Sequence, residues 1–287
     1  MSVPNISKLP RPFRNDRFTL LRCGIYDDPD AQVYVNEDRD FAFLNPLEAT
    51  DYTQYKPRVE RLDLKDYKDR SGTMALRYEK VLAYLTRADS LLEIGAGNAS
   101  FLAYVHEMLP NLSAACVEPD SRTKPLRDQL SWLTQYQNIS AIGDQRFDVV
   151  CIFHVLEHIL DPLPFLQRCI SLVGKGGRLI IEVPSLDDPL ASLYDLPAYM
   201  DFFFQKQHPY YYSASSLSRM INALGNRVEA MIPHQRYGLD NHLNWLRNSE
   251  PGGNADLRTI FTEADASYRK SLEDSGHADA VVAVVAH

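Results

Sequence analysis

The sequence predicts an α/β protein built on a parallel sheet. Three observations point there. Apolar runs alternate with helical stretches between residues 75 and 233. A glycine-rich turn joins the first of those runs to a helix. The run Phe147–Phe153 (FDVVCIF) is apolar almost throughout, as a strand buried on both faces must be.

The elements follow in order. Residues 1–70 are rich in Pro, Asp, Arg and Tyr with weak periodicity, and read as an irregular extension with short elements. Met74, Leu76, Val81, Leu82 and Leu85 give a helix over 73–86 its apolar face. Ser90–Ile94 is a strand ended by Gly95, followed by a helix over 99–108 that stops near Pro110. Ser113–Val117 is a second strand, 124–134 a helix and 138–142 a brief third strand. Phe147–Phe153 precedes a helix over 162–172, a turn at 174–177 and a fifth strand over 178–183. An amphipathic helix over 213–224 and a strand over 228–232 come next. The polar, aromatic stretch 234–277, expected to hold two helices, then interrupts the pattern before a last apolar strand, Ala280–Ala286. It reads as an insertion between the last two strands of one sheet.

Bulk properties narrow the function. Of 287 residues 45% are hydrophobic, enough for a substantial core. The net charge of −8 argues against general nucleic-acid binding. The N-terminus has no apolar secretory region and no run is long enough to span a bilayer, so a cytoplasmic protein is expected. Cys23, Cys116, Cys151 and Cys169 form no CxxC pair, and Cys116 and Cys151 are expected to be buried and inert. Self-association to a homo-oligomer is left open.

The chemistry concentrates at Leu91–Asn98, where Gly95 and Gly97 flank Ala96 between strand and helix. Such a turn lets the backbone approach a ligand closely. Glu118 ends the next strand about twenty residues on, where a carboxylate accepts hydrogen bonds from the ribose of an adenosine ligand. A dinucleotide site wants a third glycine, and Ser100 stands there. Glu93, beside the turn, suits a cationic ligand and would repel a pyrophosphate.

Glu93–Gly97, the Val117-Glu118-Pro119-Asp120 corner, the stretch 147–158 and the turn 172–179 together resemble class I S-adenosylmethionine-dependent methyltransferases. The resemblance covers residues 75–233 and the last strand. It implies a Rossmann-like, mostly parallel seven-stranded sheet with an antiparallel last strand, carrying an N-terminal extension and a C-terminal insertion. The division expected is 1–70 extension or lid, 71–233 plus 280–287 methyltransferase core, and 234–279 insertion over the acceptor site. It also implies S-adenosyl-L-methionine as cofactor, held by Glu93, Gly95, Ala96, Gly97, Glu118, Pro119 and His154. For the adenine amine, Ser140 and Asp144 are candidates.

His154-Val155-Leu156-Glu157-His158 spells a zinc-peptidase signature, but that chemistry needs both histidines on one helix. Here His154 ends a strand, so no metal is expected; a magnesium site at Glu157 and Asp161 is the weaker alternative.

The acceptor is expected among aromatic and polar side chains: Tyr52 and Tyr55 in the extension, Tyr211 after the fifth strand, and Arg236, Tyr237, Asn241 and His242 in the insertion. These types suit a sugar or polyol. The His208–Ser213 pattern and Asn241–Leu246 also resemble methyltransferases acting on sugars and surface-glycan precursors. The expected reaction is O-methylation of a sugar, nucleotide-sugar or glycan end. His208, and after it His158, are the candidate general bases. Rival readings are C-methylation of a nucleotide sugar, an NAD(P)-dependent oxidoreductase, and a cofactor-binding partner subunit without catalysis.

Overall fold

The computed structural model describes residues 4–48 and 71–287. Its strands are β1 (Phe18–Ile25), β2 (Asp28–Asn36), β3 (Phe41–Asn45), β4 (Ser90–Ile94), β5 (Ser113–Val117), β6 (Thr134–Tyr136), β7 (Phe147–Phe153), β8 (Val173–Pro184), β9 (Tyr210–Tyr212), β10 (Arg227–His234) and β11 (Ala280–Ala286). Helices longer than one turn are α1 (Ser71–Leu85), α2 (Ser100–Met108), α3 (Pro162–Ser171), α4 (Pro197–Phe203), α5 (Ala214–Asn222), α6 (Leu239–Asn248), α7 (Ala255–Ile260) and α8 (Thr262–Asp274).

The central sheet has seven strands in the order β10-β11-β8-β7-β4-β5-β6. Its strands are parallel except β11, which runs against both neighbours. Side-chain alternation splits each central strand between two cores. On β7, Val150 and Ile152 face one and Val149, Cys151 and Phe153 the other. Each such aliphatic side chain contributes about 1.5–3 kcal/mol on burial. β11 has no polar side chain because it is covered on both faces. Cys116, Cys151 and Cys169 are buried free thiols, and burial raises their pKa. No helix among the described residues is long and apolar enough to cross a membrane.

The structure departs from the sequence reading in six places. Among the described residues, 18–45 are not irregular: β1, β2 and β3 form an antiparallel meander, extended by β9 into a second sheet of order β1-β2-β3-β9. Tyr210–Tyr212, just before the helix expected over 213–224, is that edge strand, with Tyr212 opposite Phe41. All three tyrosines are buried, Tyr210 and Tyr212 on the large core and Tyr211 on a third cluster. The third parallel strand lies at Thr134–Tyr136, and residues 139–142 form a 3-10 turn capped by Asn138. The helix expected over 124–134 is a single turn, Lys124–Arg127. Residues 174–177 lie within β8, and the insertion holds three helices, α6, α7 and α8, instead of two.

Candidate active site

The parallel strands end on one edge of the sheet, and the chemistry gathers there. Gly95 and Gly97 both have positive φ, 79° and 56°, in the turn between β4 and α2. A Cβ on Gly95 would strike Val155 Cγ2. Gly95 N–H donates to the Val117 carbonyl at 2.8 Å, tying the turn to β5. Arg127, buried beneath, donates to the Gly97 carbonyl at 2.6 Å.

Glu118 curls under this turn. Its two oxygens accept the N–H of Gly97 and of Asp120, each at 2.7 Å. An ionised carboxylate has about four acceptor sites, so capacity for two ligand hydroxyls remains.

Glu93 is 4% exposed and its Oε2 has no hydrogen-bond partner. Burial pushes its carboxyl up to about 8, against the lowering pull of the Arg77 charge, with Glu118 and Glu182 adding repulsion. A buried, unpartnered carboxyl beside a ligand-sized cleft is an open position for a cation. The residues on the cleft therefore fit S-adenosylmethionine, with Glu93 where it would meet the positive end and the Gly95–Gly97 backbone beside it; Glu118 lies under the turn and is not among the residues that line the cleft.

The cleft has a volume of about 1290 Å³. Glu93, Gly95, Ala96 and Gly97 line it from the sheet, with His154. Arg236, Tyr237, Asn241 and Trp245 line it from the insertion. His154 has a φ of 56°, which turns it off β7 into the cleft. Its Nδ1 lies 3.2 Å from Glu157 Oε1 and its Nε2 2.8 Å from Glu182 Oε1. Arg236 Nη1 approaches Nε2 at 2.6 Å.

Glu182, wholly buried on β8, organises this edge. Arg77 of α1 grips it with two hydrogen bonds of 2.8 Å. Burial raises its pKa, but the Arg77 charge and the bonds from Arg77, His154 and His234 hold it well below the usual range. Asp279, just before β11, accepts from Arg236 Nε at 2.6 Å and from the backbone N–H of Arg236 and Tyr237 at 2.8 and 2.9 Å.

The other expected site residues lie elsewhere. Pro119 is exposed and does not line the cleft. Ser140 and Asp144 are also exposed and off the cleft, whose nearby wall is instead Asp120, Arg122 and Thr123. Tyr211 is core: it is 2% exposed, and its hydroxyl serves the Gln205 backbone at 2.7 and 3.2 Å. His242 is buried, 2.6 Å from the Tyr268 hydroxyl, and burial pulls it down to about 4, so it braces α6 against α8. His158 and His208 pack edge to face, ring centres 4.5 Å apart, and neither lines the cleft. Tyr52 and Tyr55 fall outside the described residues. Sequence reasoning missed Arg77, Arg127, Glu182 and Asp279. The signal for Glu182 was a carboxylate flanked by apolar residues in the strand RLIIEV.

A seven-stranded sheet with one reversed strand, a glycine turn after the central strand and a carboxylate at the end of the next defines the class I methyltransferase fold. The family model for the methyltransferase domain matches residues 67–230, more than half of the chain. The chain belongs to that family. It is 33% identical over 100 residues to the ubiquinone biosynthesis O-methyltransferase of Cereibacter sphaeroides, a match covering 31% of this chain and 39% of that protein. Over 104 residues it is 30% identical to methyltransferase str2 of Strobilurus tenacellus, covering 34% and 36%. The match thus spans well under half the length of these curated relatives. Among solved structures, a SAM-dependent methyltransferase from Archaeoglobus fulgidus shares the fold with a TM-score of 0.52 at 15% identity, covering 78% of this chain and all of that one. The plantazolicin methyltransferase BamL, solved with SAH, aligns with a TM-score of 0.54 at 11% identity over 77% of this chain and 88% of its own.

Proposed function

We propose that the chain binds S-adenosylmethionine in this cleft and methylates an oxygen of a small polar acceptor, a sugar, nucleotide-sugar or glycan end. The observation that carries the reading is the unpartnered Glu93 Oε2, buried at the lip of the Gly95–Gly97 turn. It favours a cationic adenosine cofactor and disfavours a pyrophosphate, which separates this reading from an oxidoreductase.

When bound, the cofactor supplies a methyl group on a positively charged sulfur. Glu93 neutralises the cationic end, Glu118 orients the ribose, and the insertion walls the opposite side. Holding both partners in line removes orientational entropy. His154 is the histidine on the cleft wall, with Nδ1 beside Glu157 and Nε2 beside Glu182 and Arg236, and it is the candidate to take the acceptor's hydroxyl proton. Tyr237, 49% exposed under the Arg236 guanidinium, offers a ring face, and Asn241, Asp240 and Arg258 a polar rim. That mixture suits a sugar.

A second reading, an acceptor from quinone biosynthesis, is favoured by the match to the Cereibacter sphaeroides enzyme. Labelled cofactor incubated with nucleotide sugars, oligosaccharides and quinone precursors, with products identified by mass, decides between them. A methylated sugar supports the first reading and a methylated quinone precursor the second. Cofactor binding with no turnover on any acceptor points to a non-catalytic partner subunit.

A further inference from the structure

Shortly after β8 ends, Asp188 caps a single helical turn, Pro189–Ser192. It is 2% exposed, and its Oδ1 accepts the Leu190 N–H at 2.8 Å. Its Oδ2 accepts the hydroxyl of Tyr199, on α4, at 2.5 Å. Tyr199 lines the cleft. We propose that Tyr199, oriented by Asp188, accepts a hydrogen bond from a second hydroxyl of the acceptor, so that the site selects a ring carrying at least two free hydroxyls. This rests on the cleft being a methyl-transfer site and narrows the class of acceptor.

The direction of the Tyr199 bond is set by its chemistry. A phenol has one proton to donate, and Asp188 takes it. What Tyr199 offers to any further partner is oxygen lone pairs, so a donor fits against it and an ether oxygen does not. Burial pushes this phenol well above its ordinary range, and the charges of Asp188, Asp279 and Tyr237 add to it, so it keeps the proton. The phenolic end lies toward the base of the insertion: Asp279 and Tyr237 act on it, and Arg236 acts on Asp188. Arg236 and Tyr237 line the cleft there. The ring is held in place by Trp245, edge to face at 5.0 Å and 89°, and by Phe203 at 5.9 Å.

Burial also pushes the Asp188 carboxyl up to about 7, with Asp279 adding repulsion, against the lowering bond from Tyr199. Above that pH the carboxylate can only accept, and the Tyr199 hydroxyl has one orientation. An O-methyl group placed against the Tyr199 oxygen leaves that oxygen without a donor. Sites built to hydrogen-bond a hydroxyl reject analogues lacking it more sharply than apolar pockets reject a methylene. A ring already methylated at the second position is therefore a poor acceptor. Sugars and catechol-type rings both supply the required hydroxyl.

The test uses the full chain loaded with S-adenosylhomocysteine, at a pH well above 7 where Asp188 is ionised. Trp132→Phe leaves Trp245, edge-on to Tyr199, as the single tryptophan. Trp132 stacks on His106, and neither lines this cleft. Trp245 fluorescence then follows titration with methyl glucoside and catechol, and with the fully O-methylated form of each. At least one hydroxylated probe should bind, about 3- to 10-fold tighter than its O-methylated form, the range of one net hydrogen bond. Tyr199→Phe should abolish that preference by weakening the hydroxylated probe alone. Uptake of methyl glucoside assigns the second hydroxyl to a sugar, and uptake of catechol to an aromatic ring. Uptake of neither, or no preference over the O-methylated forms, overturns the proposal even where Tyr199→Phe does not fold. So does a preference that survives in Tyr199→Phe. Failure of S-adenosylhomocysteine itself to bind overturns the methyl-transfer reading, and this proposal with it.

Discussion

Asp279 holds Arg236 by two hydrogen bonds, and Tyr237 beside it by a third, at the point where the insertion leaves the sheet. One oxygen takes the guanidinium Nε, and the other takes the backbone N–H of Arg236 and Tyr237. The two residues are 43 apart in sequence, yet this pair sets where the insertion stands against the Gly95–Gly97 turn across the cleft. Removing one partner of a buried ion pair leaves the other uncompensated. Asp279→Ala should therefore cost about 3 kcal/mol in urea unfolding. In the folded fraction it should raise the acceptor KM more than the cofactor Kd. An unchanged unfolding midpoint contradicts this role.

Glu182 is expected to matter for stability and catalysis together. Glu182→Gln leaves Arg77 buried without its charge partner, at a cost of about 3–5 kcal/mol. The paired change Arg77→Met with Glu182→Leu should recover most of that stability but not the rate, because His154 still lacks its second carboxylate. Recovery of the rate as well would show that Glu182 serves packing only.

Glu93 gives a pH signature with a definite sign. Its folded carboxyl titrates near 8, above the ordinary 4.5. Folding therefore retains a proton that the unfolded chain loses, and this contribution to stability falls as pH rises from about 4.5 to about 8. A cationic ligand favours the carboxylate, so cofactor affinity should climb with pH up to about 8, at most about tenfold per unit, and then level. Calorimetry in buffers of different ionisation enthalpy should register proton release below pH 8. Both trends should vanish in Glu93→Gln, and their persistence there assigns them to another group.

Gly95→Ala should lose cofactor binding through geometry. The φ of 79° alone costs an L-residue about 1–2 kcal/mol, and the added methyl meets Val155. Val155→Ala in the same chain removes the clash but not the strain. Partial rescue of affinity in the double variant is expected, and none would place the loss elsewhere.

His154→Ala should lower kcat by about 10²–10⁴-fold. Cofactor affinity should change far less. A near-normal kcat would return the proton-transfer role to another group.

How far the sequence could be read depended on the range of each contact. The turn at Gly95–Gly97 and the carboxylates of Glu93 and Glu118 were legible because strand, turn and next strand lie within about thirty residues. Glu182 was not, since its partner Arg77 is 105 residues away. The second sheet was hidden for the same reason: β3 finds its edge partner only at Tyr210–Tyr212. Those tyrosines show no polar alternation because both faces of the strand are covered, so the run gave no strand period. His158 follows β7, but His208 comes just before β9, well past the end of β8. What turns them toward the second sheet is packing between elements that no local pattern encodes.

The central claim is that this cleft is a sulfonium-cofactor site, and calorimetric titration of the full chain tests it most directly. S-adenosylmethionine and its demethylated product should both bind, with NAD far weaker, and Glu118→Ala should weaken cofactor binding by about 1–3 kcal/mol. Tight NAD binding with no binding of S-adenosylmethionine would contradict the account.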